Sequence, residues 1–123
     1  MSALLVAVIN PPSAVPQVVI YKERPALLQV NPKEVARELL TAQQFKCFNA
    51  IMTKESHWQD HKNPTSSAKG VGQLLDSTYR NLGMKRGKST TSQTIAALAY
   101  IGRKYGSGGP CAAWAFWKQH SYY

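Results

Sequence analysis

Asn31-Pro32-Lys33-Glu34-Val35-Ala36-Arg37-Glu38-Leu39-Leu40-Thr41-Ala42-Gln43-Gln44-Phe45-Lys46-Cys47-Phe48-Asn49-Ala50-Ile51-Met52-Thr53-Lys54-Glu55-Ser56 is the stretch on which the fold turns. It opens on an asparagine, whose side chain can accept from the unpaired N–H groups of a first helical turn. A proline suited to the first helical position follows, and Glu34 stands three residues after the cap. From Val35 through Leu39 and Leu40 to Phe45, Phe48, Ile51 and Met52, apolar residues recur mostly three and four apart. That spacing predicts one long helix or two consecutive ones ending near Ser56, with Glu55 in the last turn.

Downstream, residues 57–72 lose this periodicity: His57, Asp60, Asn63-Pro64 and paired serines read as a loop leading into Gly70-Val71-Gly72-Gln73-Leu74. A short helix is expected after Asp76-Ser77, and Gly83 to Thr90, with Lys85, Arg86 and Lys88, reads as a basic surface loop. Ser92 can cap a further helix whose buried side comes from Ile95, Leu98, Ala99 and Ile101, with Gly106 as its stop. Pro110 suits the start of a last helix, to which Ala113, Trp114, Phe116 and Trp117 give a bulky apolar surface. The fold class is therefore mainly α, with four to five helices over residues 35–123.

Upstream, Pro11, Pro12, Pro16 and Pro25 interrupt the apolar stretches Leu4 to Ile9 and Val18 to Tyr21, which excludes a long helix there. Residues 1–34 read as an extended arm that could anchor the chain to a partner protein, or as a loosely ordered tail. The apolar run Ala3 to Ile9 has no Lys or Arg before it; it is too short to span a membrane and poor as a signal peptide, so the expectation is a soluble chain without a membrane span.

The formal net charge is +9. Residues 1–34 carry three basic and two acidic groups, against twelve and four in residues 35–123, so attraction to an anionic partner belongs to the helical part. Nucleic acid, acidic phospholipid and wall polymers bearing phosphates or carboxylates all satisfy charge alone, but no recognisable nucleic-acid motif accompanies it. Cys47 and Cys111 are either two buried thiols or one disulfide, the thiols favoured in a reducing cytoplasm and the disulfide after export or release. His57 and His61 flank Asp60 four positions apart, but the polar, proline-containing surroundings read as an exposed loop and no metal is expected there.

Acid catalysis at a glycosidic bond needs a carboxyl group kept protonated near neutral pH, and a helix-end glutamate facing an aromatic-walled cleft meets that need because desolvation penalises its charged form. Glu55, followed by Ser56 and Trp58, is the candidate. Taken in order, several motifs resemble those of the lytic transglycosylase family, the soluble-lytic-transglycosylase or lysozyme-like domains. Lys54-Glu55-Ser56-His57-Trp58 looks like the catalytic Glu-Ser motif, Gly70-Val71-Gly72-Gln73-Leu74 like the Gly-Leu-Met-Gln motif, and Ala97-Leu98-Ala99-Tyr100-Ile101 like the helix that sends a tyrosine towards the cleft. The likeness covers about residues 35–123 and is nearest to a subgroup in secreted actinobacterial and phage tail proteins. There one cysteine precedes the glutamate by eight residues and another opens the last helix. Cys47 in Phe45-Lys46-Cys47-Phe48 and Cys111 in Tyr105-Gly106-Ser107-Gly108-Gly109-Pro110-Cys111-Ala112-Ala113-Trp114 match both positions.

The resemblance implies a lysozyme-like fold, a Cys47–Cys111 disulfide, and cleavage of the β-1,4 bond between N-acetylmuramic acid and N-acetylglucosamine in peptidoglycan glycan strands, with Glu55 as catalytic acid and no cofactor. It also implies that Ser56 holds the carboxyl or a substrate group and that Gln73 meets the N-acetyl or peptide portion. Trp58 and Trp114 become candidate sugar contacts, each with core packing as the alternative. Many family members have Ala-Tyr-Asn in the last helix where this chain has Ala113-Trp114-Ala115, which leaves Tyr100 to supply a hydroxyl. Ordinary glycosidases need a second carboxylate. Asp60 and Asp76 are the only later acids, so if neither faces Glu55 a one-acid route to a 1,6-anhydro product is preferred over a water-using muramidase. Such a chain fits a phage virion lysin, anchored through residues 1–31 to a tail protein, or a protein secreted by a non-classical route. The competing reading is a non-catalytic virion or peptidoglycan-binding module of the same fold.

Overall fold

The computed structural model describes residues 31–123; the arm expected over residues 1–30 lies outside the described residues. Among the described residues five α-helices follow one another: α1 Pro32–Leu39, α2 Ala42–Ser56, α3 Asp76–Leu82, α4 Thr90–Tyr105 and α5 Gly109–His120, the last two joined by a 3-10 turn at Gly106–Gly108. The mainly helical class expected from the periodicity is what the chain adopts. Asn31 caps α1 as its sequence announces, its side chain accepting from the Lys33 N–H at 3.0 Å. Residues 32–34 thus form the first turn of the helical unit rather than the end of an arm.

Of the two options for residues 32–56, the chain takes two helices. Leu40 turns extended (φ −122°), and the Thr41 hydroxyl accepts from the Gln44 N–H at 3.2 Å, starting α2 afresh. On α2, Phe48, Ile51 and Met52 are fully buried, and Glu55 continues that stripe at the next position, seven residues after Phe48. The helix ends abruptly after it: His57 and Trp58 both have positive φ (55° and 63°), an uncommon conformation for residues other than glycine.

Two expectations for α4 are corrected. Its cap is Ser89, not Ser92: the Ser89 hydroxyl accepts from the Ser92 N–H at 3.0 Å, while the Ser92 hydroxyl donates back to the Ser89 carbonyl at 2.8 Å. The buried face is also rotated from the expected one. Gln93, Thr94, Ala96, Ala97 and Ile101 point inward, Leu98 and Ala99 are partly covered, and Ile95 is 43% exposed. The physical reason is close approach: a Cβ on Gly72 would lie 2.8 Å from that of Ala97, so this face of α4 must be small where the 70–75 loop crosses it. Gln93 is buried as the loop's fastener, accepting from the Val71 N–H at 3.1 Å and donating to the Gly87 carbonyl at 3.3 Å.

The basic loop is corrected too. Lys85 and Lys88 are exposed, but Arg86 turns inward, donating to the carbonyls of Ser67, Lys69 and Leu74 and pairing with Asp76 at 2.9 Å. It ties residues 67–76 together, where isolated bridges join Lys69 to Lys62 and to Leu74. α5 packs most extensively on α2 and also on α4. The Cys47–Cys111 disulfide, with Cα atoms 4.9 Å apart, links α2 to the start of α5, resolving the thiol-or-disulfide alternative. Beside it Gln44 accepts from the Cys111 N–H at 2.9 Å. Among the described residues no helix is long and apolar enough to cross a membrane.

Candidate functional site

A cleft of about 290 Å³ opens between the end of α2, the 73–75 turn, α3, α4 and the residues after α5. Its lining comprises Glu55, Gln73, Leu74, Leu75, Thr78, Tyr100, Tyr122 and Tyr123, and among these described residues Glu55 carries the one acidic side chain. Because Glu55 occupies the buried stripe of α2, its carboxyl is half-covered by protein; Oε2 accepts from the Trp117 indole N–H at 2.8 Å. Burial pushes the Glu55 pKa above the ordinary carboxylate value, and the indole hydrogen bond, which favours the charged form, only partly opposes it. Its place in the last turn of α2 works in the same direction as burial, since a helix C-terminus disfavours negative charge.

Trp117 was read from sequence only as apolar bulk, yet it holds the carboxyl. A signal was available: Pro110, Ala113 and Trp117 stand at spacings of three and four on α5, and the first two are buried, so the indole points to the same side. Trp114 backs it, the two rings stacking with centroids 5.5 Å apart and planes 23° apart. Trp114 is therefore a support for Trp117 and is not among the cleft-lining residues.

Of the other sequence candidates, Gln73 and Tyr100 line the cleft with Glu55. Gln73 sits at φ 54°, and its amide nitrogen donates to the carbonyls of His61 at 2.7 Å and Gly70 at 2.9 Å, leaving its amide oxygen as the group available to a ligand. The Tyr100 hydroxyl donates to the Tyr123 carbonyl at 2.7 Å. Ser56 is buried; its hydroxyl donates to the Val71 carbonyl at 2.6 Å, so it fastens the loop to α2 and has no bond to the Glu55 carboxyl. Trp58 is 8% exposed, packs edge-on against Phe48 and donates from its indole to Asn49, placing it over the core and outside the cleft lining. His57 and His61 are exposed, and among the described residues no group of three or more His, Cys, Asp or Glu is placed to hold a metal.

Tyr122, Tyr123, Thr78 and Leu75 complete the cleft and were not singled out from sequence. Tyr123 is buried, and its phenol donates to the Gly72 carbonyl at 2.6 Å. Burial, reinforced by the nearby Glu55 charge and neighbouring tyrosines, pushes its pKa well up and keeps that phenol neutral. A Cβ on Gly72 would meet the Tyr123 hydroxyl at 2.8 Å, so the glycine admits both the tyrosine and α4. Asp60 and Asp76 do not line the cleft, and Asp76 is engaged by Arg86. No family model, curated protein or solved structure matches the chain.

Proposed function

We propose that this protein is a lysozyme-like peptidoglycan lytic transglycosylase with Glu55 as its single acid and base. The observation that carries the reading is one half-buried carboxyl, raised in pKa and fixed by Trp117, standing without a second acidic side chain among the described residues of a cleft lined by tyrosines and Gln73. A protonated Glu55 donates to the oxygen of the leaving sugar. The C6 hydroxyl of the muramyl residue then attacks its own C1, and the ionised Glu55 takes up the hydroxyl proton as the 1,6-anhydro ring closes, with the substrate's acetamido group assisting. General acid–base catalysis of this kind contributes on the order of 10²–10⁴ in rate. The Gln73 amide oxygen is available to an N-acetyl N–H, and the excess of positive charge on residues 35–123 suits an anionic wall polymer. In this reading residues 1–31 attach the enzyme to a virion or tail protein.

Digestion of purified peptidoglycan by the wild-type chain and by Glu55→Gln, with mass spectrometry of released muropeptides, tests it. Anhydro-muramyl products that disappear in Glu55→Gln are the expected result. Reducing-end products would make the protein a muramidase, and no release by the wild-type chain would point to a non-catalytic module.

A further inference from the structure

We infer that Tyr122 is a substrate-contacting residue of the cleft: a fixed aromatic platform on which one pyranose ring of the bound glycan stacks. The inference rests on the glycan-cleaving reading above and adds a specificity-determining residue to it.

Tyr122 lines the same cleft as Glu55 and is 56% exposed, so its ring is open to a ligand there. Its backbone is held on both sides. Ser121 ends α5 in the left-handed region (φ 64°), with its N–H on the Trp117 carbonyl at 2.7 Å. On the other side Tyr123 is locked by its phenol on the Gly72 carbonyl and by its own carbonyl under the Tyr100 hydroxyl. The ring itself is braced by its neighbours: Phe116 meets it edge-on with centroids 5.2 Å apart, the His120 ring lies 5.9 Å away, and the Lys104 ammonium stands 5.7 Å from its centroid. An aromatic ring that is anchored, braced and still open to a cleft loses little conformational freedom when a ligand covers it, so most of the contact energy appears as affinity. Pyranose rings of β-linked glycans carry axial C–H bonds on their faces. These C–H groups complement the negative face of an aromatic ring, and the sugar hydroxyls remain in the ring plane, free to reach water or polar groups.

The test uses the full chain. Chitotetraose, a β-1,4 tetramer of N-acetylglucosamine, is titrated into the Glu55→Gln background, where no turnover interferes, and its Kd is compared for Tyr122, Tyr122→Phe and Tyr122→Ala. Stacking predicts about fivefold to tenfold weaker binding for Tyr122→Ala and near-parent binding for Tyr122→Phe. With Glu55 restored, Tyr122→Ala should raise KM on peptidoglycan and leave kcat and the pH profile unmoved, because the Glu55–Trp117 contact is untouched. Equal losses in the Phe and Ala variants would assign the effect to the hydroxyl and overturn stacking. Parent-like affinity in Tyr122→Ala, or no chitotetraose binding by the parent, overturns it as well. Glu55-dependent release of muropeptides is read separately, so the inference can fail while the proposed function stands.

Discussion

Two aromatic clusters bear comparison, one near Glu55 along the chain and one near it in the cleft, and they play different parts. In the first, the rear cluster, Phe45, Phe48 and Trp58 stack and abut one another over the core, with Lys33 and Arg37 lying over the Trp58 and Phe45 rings. In the second, the front cluster, Tyr100 and Tyr123 meet edge-on, while Tyr122 leans on Phe116 at the open cleft. The rear cluster is close to Glu55 in sequence, whereas the front one comes from residues 45 to 68 positions later. Proximity along the chain therefore selects the wrong rings, because a helix of 3.6 residues per turn and its abrupt stop at His57 swing Trp58 off the side that Glu55 faces. The rings of the rear cluster fill the core under α2, and those in front shape what can reach the acid.

If this division holds, changes at the rear should move stability and leave the pH profile of activity alone. Trp58→Ala removes a nearly buried indole together with its contacts to two phenylalanines, and a loss of about 3–5 kcal/mol is expected in urea unfolding. Below the lowered melting temperature, its pH–rate profile should match the parent's; a displaced profile would show that the rear cluster belongs to the site. The disulfide should behave similarly and cost somewhat less. It closes a 64-residue separation, for which chain entropy gives about 4 kcal/mol, with about 2–4 kcal/mol usual in practice. The double change Cys47→Ser, Cys111→Ser should lower the unfolding midpoint by that measure. The start of α5 remains held by Gln44 on the Cys111-position N–H, so activity in the cold should survive.

The fold was largely legible because the signals that set it are local. Asn31-Pro32 announces α1, the three-and-four spacing announces α2, Gly106 stops α4, and a proline stands at the start of α5. The site was legible only where its residues also belong to a local pattern: Glu55 at a helix end, Gln73 in a glycine turn, Tyr100 on a helix. Ser89 competed with Ser92 as the cap within one polar run, and propensity alone does not rank two serines three residues apart. The rotation of α4 was hidden because its inward face is chosen by the approach of Gly72, a contact 25 positions away in sequence, and not by which residues are most apolar. Tyr122 and Tyr123 follow the last helix with no periodicity to place them, and only the tertiary bonds to Gly72 and Tyr100 do so.

In contrast to the rear cluster, Trp117 should move chemistry more than stability. Trp117→Phe leaves an aromatic ring, smaller than the indole, against Trp114 and removes the N–H donated to Glu55, so kcat is expected to fall about tenfold as the carboxyl loses its fixed position. The sign of the accompanying pH effect follows from the bond removed. The indole hydrogen bond lowers the Glu55 pKa, so without it the pKa rises further, and the limb at which activity is lost on the alkaline side should move to higher pH. A limb moving to lower pH would mean that the substitution lets water in and that burial, not the hydrogen bond, was the larger loss.

The smallest effect expected is on the pH dependence of folding, and it isolates what burial imposes on the acid. The Glu55 pKa is raised in the folded chain, so between its unfolded value near 4.5 and its folded value the native state binds more protons than the unfolded one. Stability from this group is therefore fully present below the unfolded pKa and is lost as pH rises through the folded pKa. Glu55→Gln keeps an oxygen that can accept from Trp117 but has no charge to desolvate. Its melting temperature should match the parent's at acidic pH and exceed it at neutral pH, the gap opening over that interval. Two parallel melting curves across the range would show that water reaches the carboxyl freely, and the case for Glu55 as a protonated acid near neutral pH would lose its physical basis.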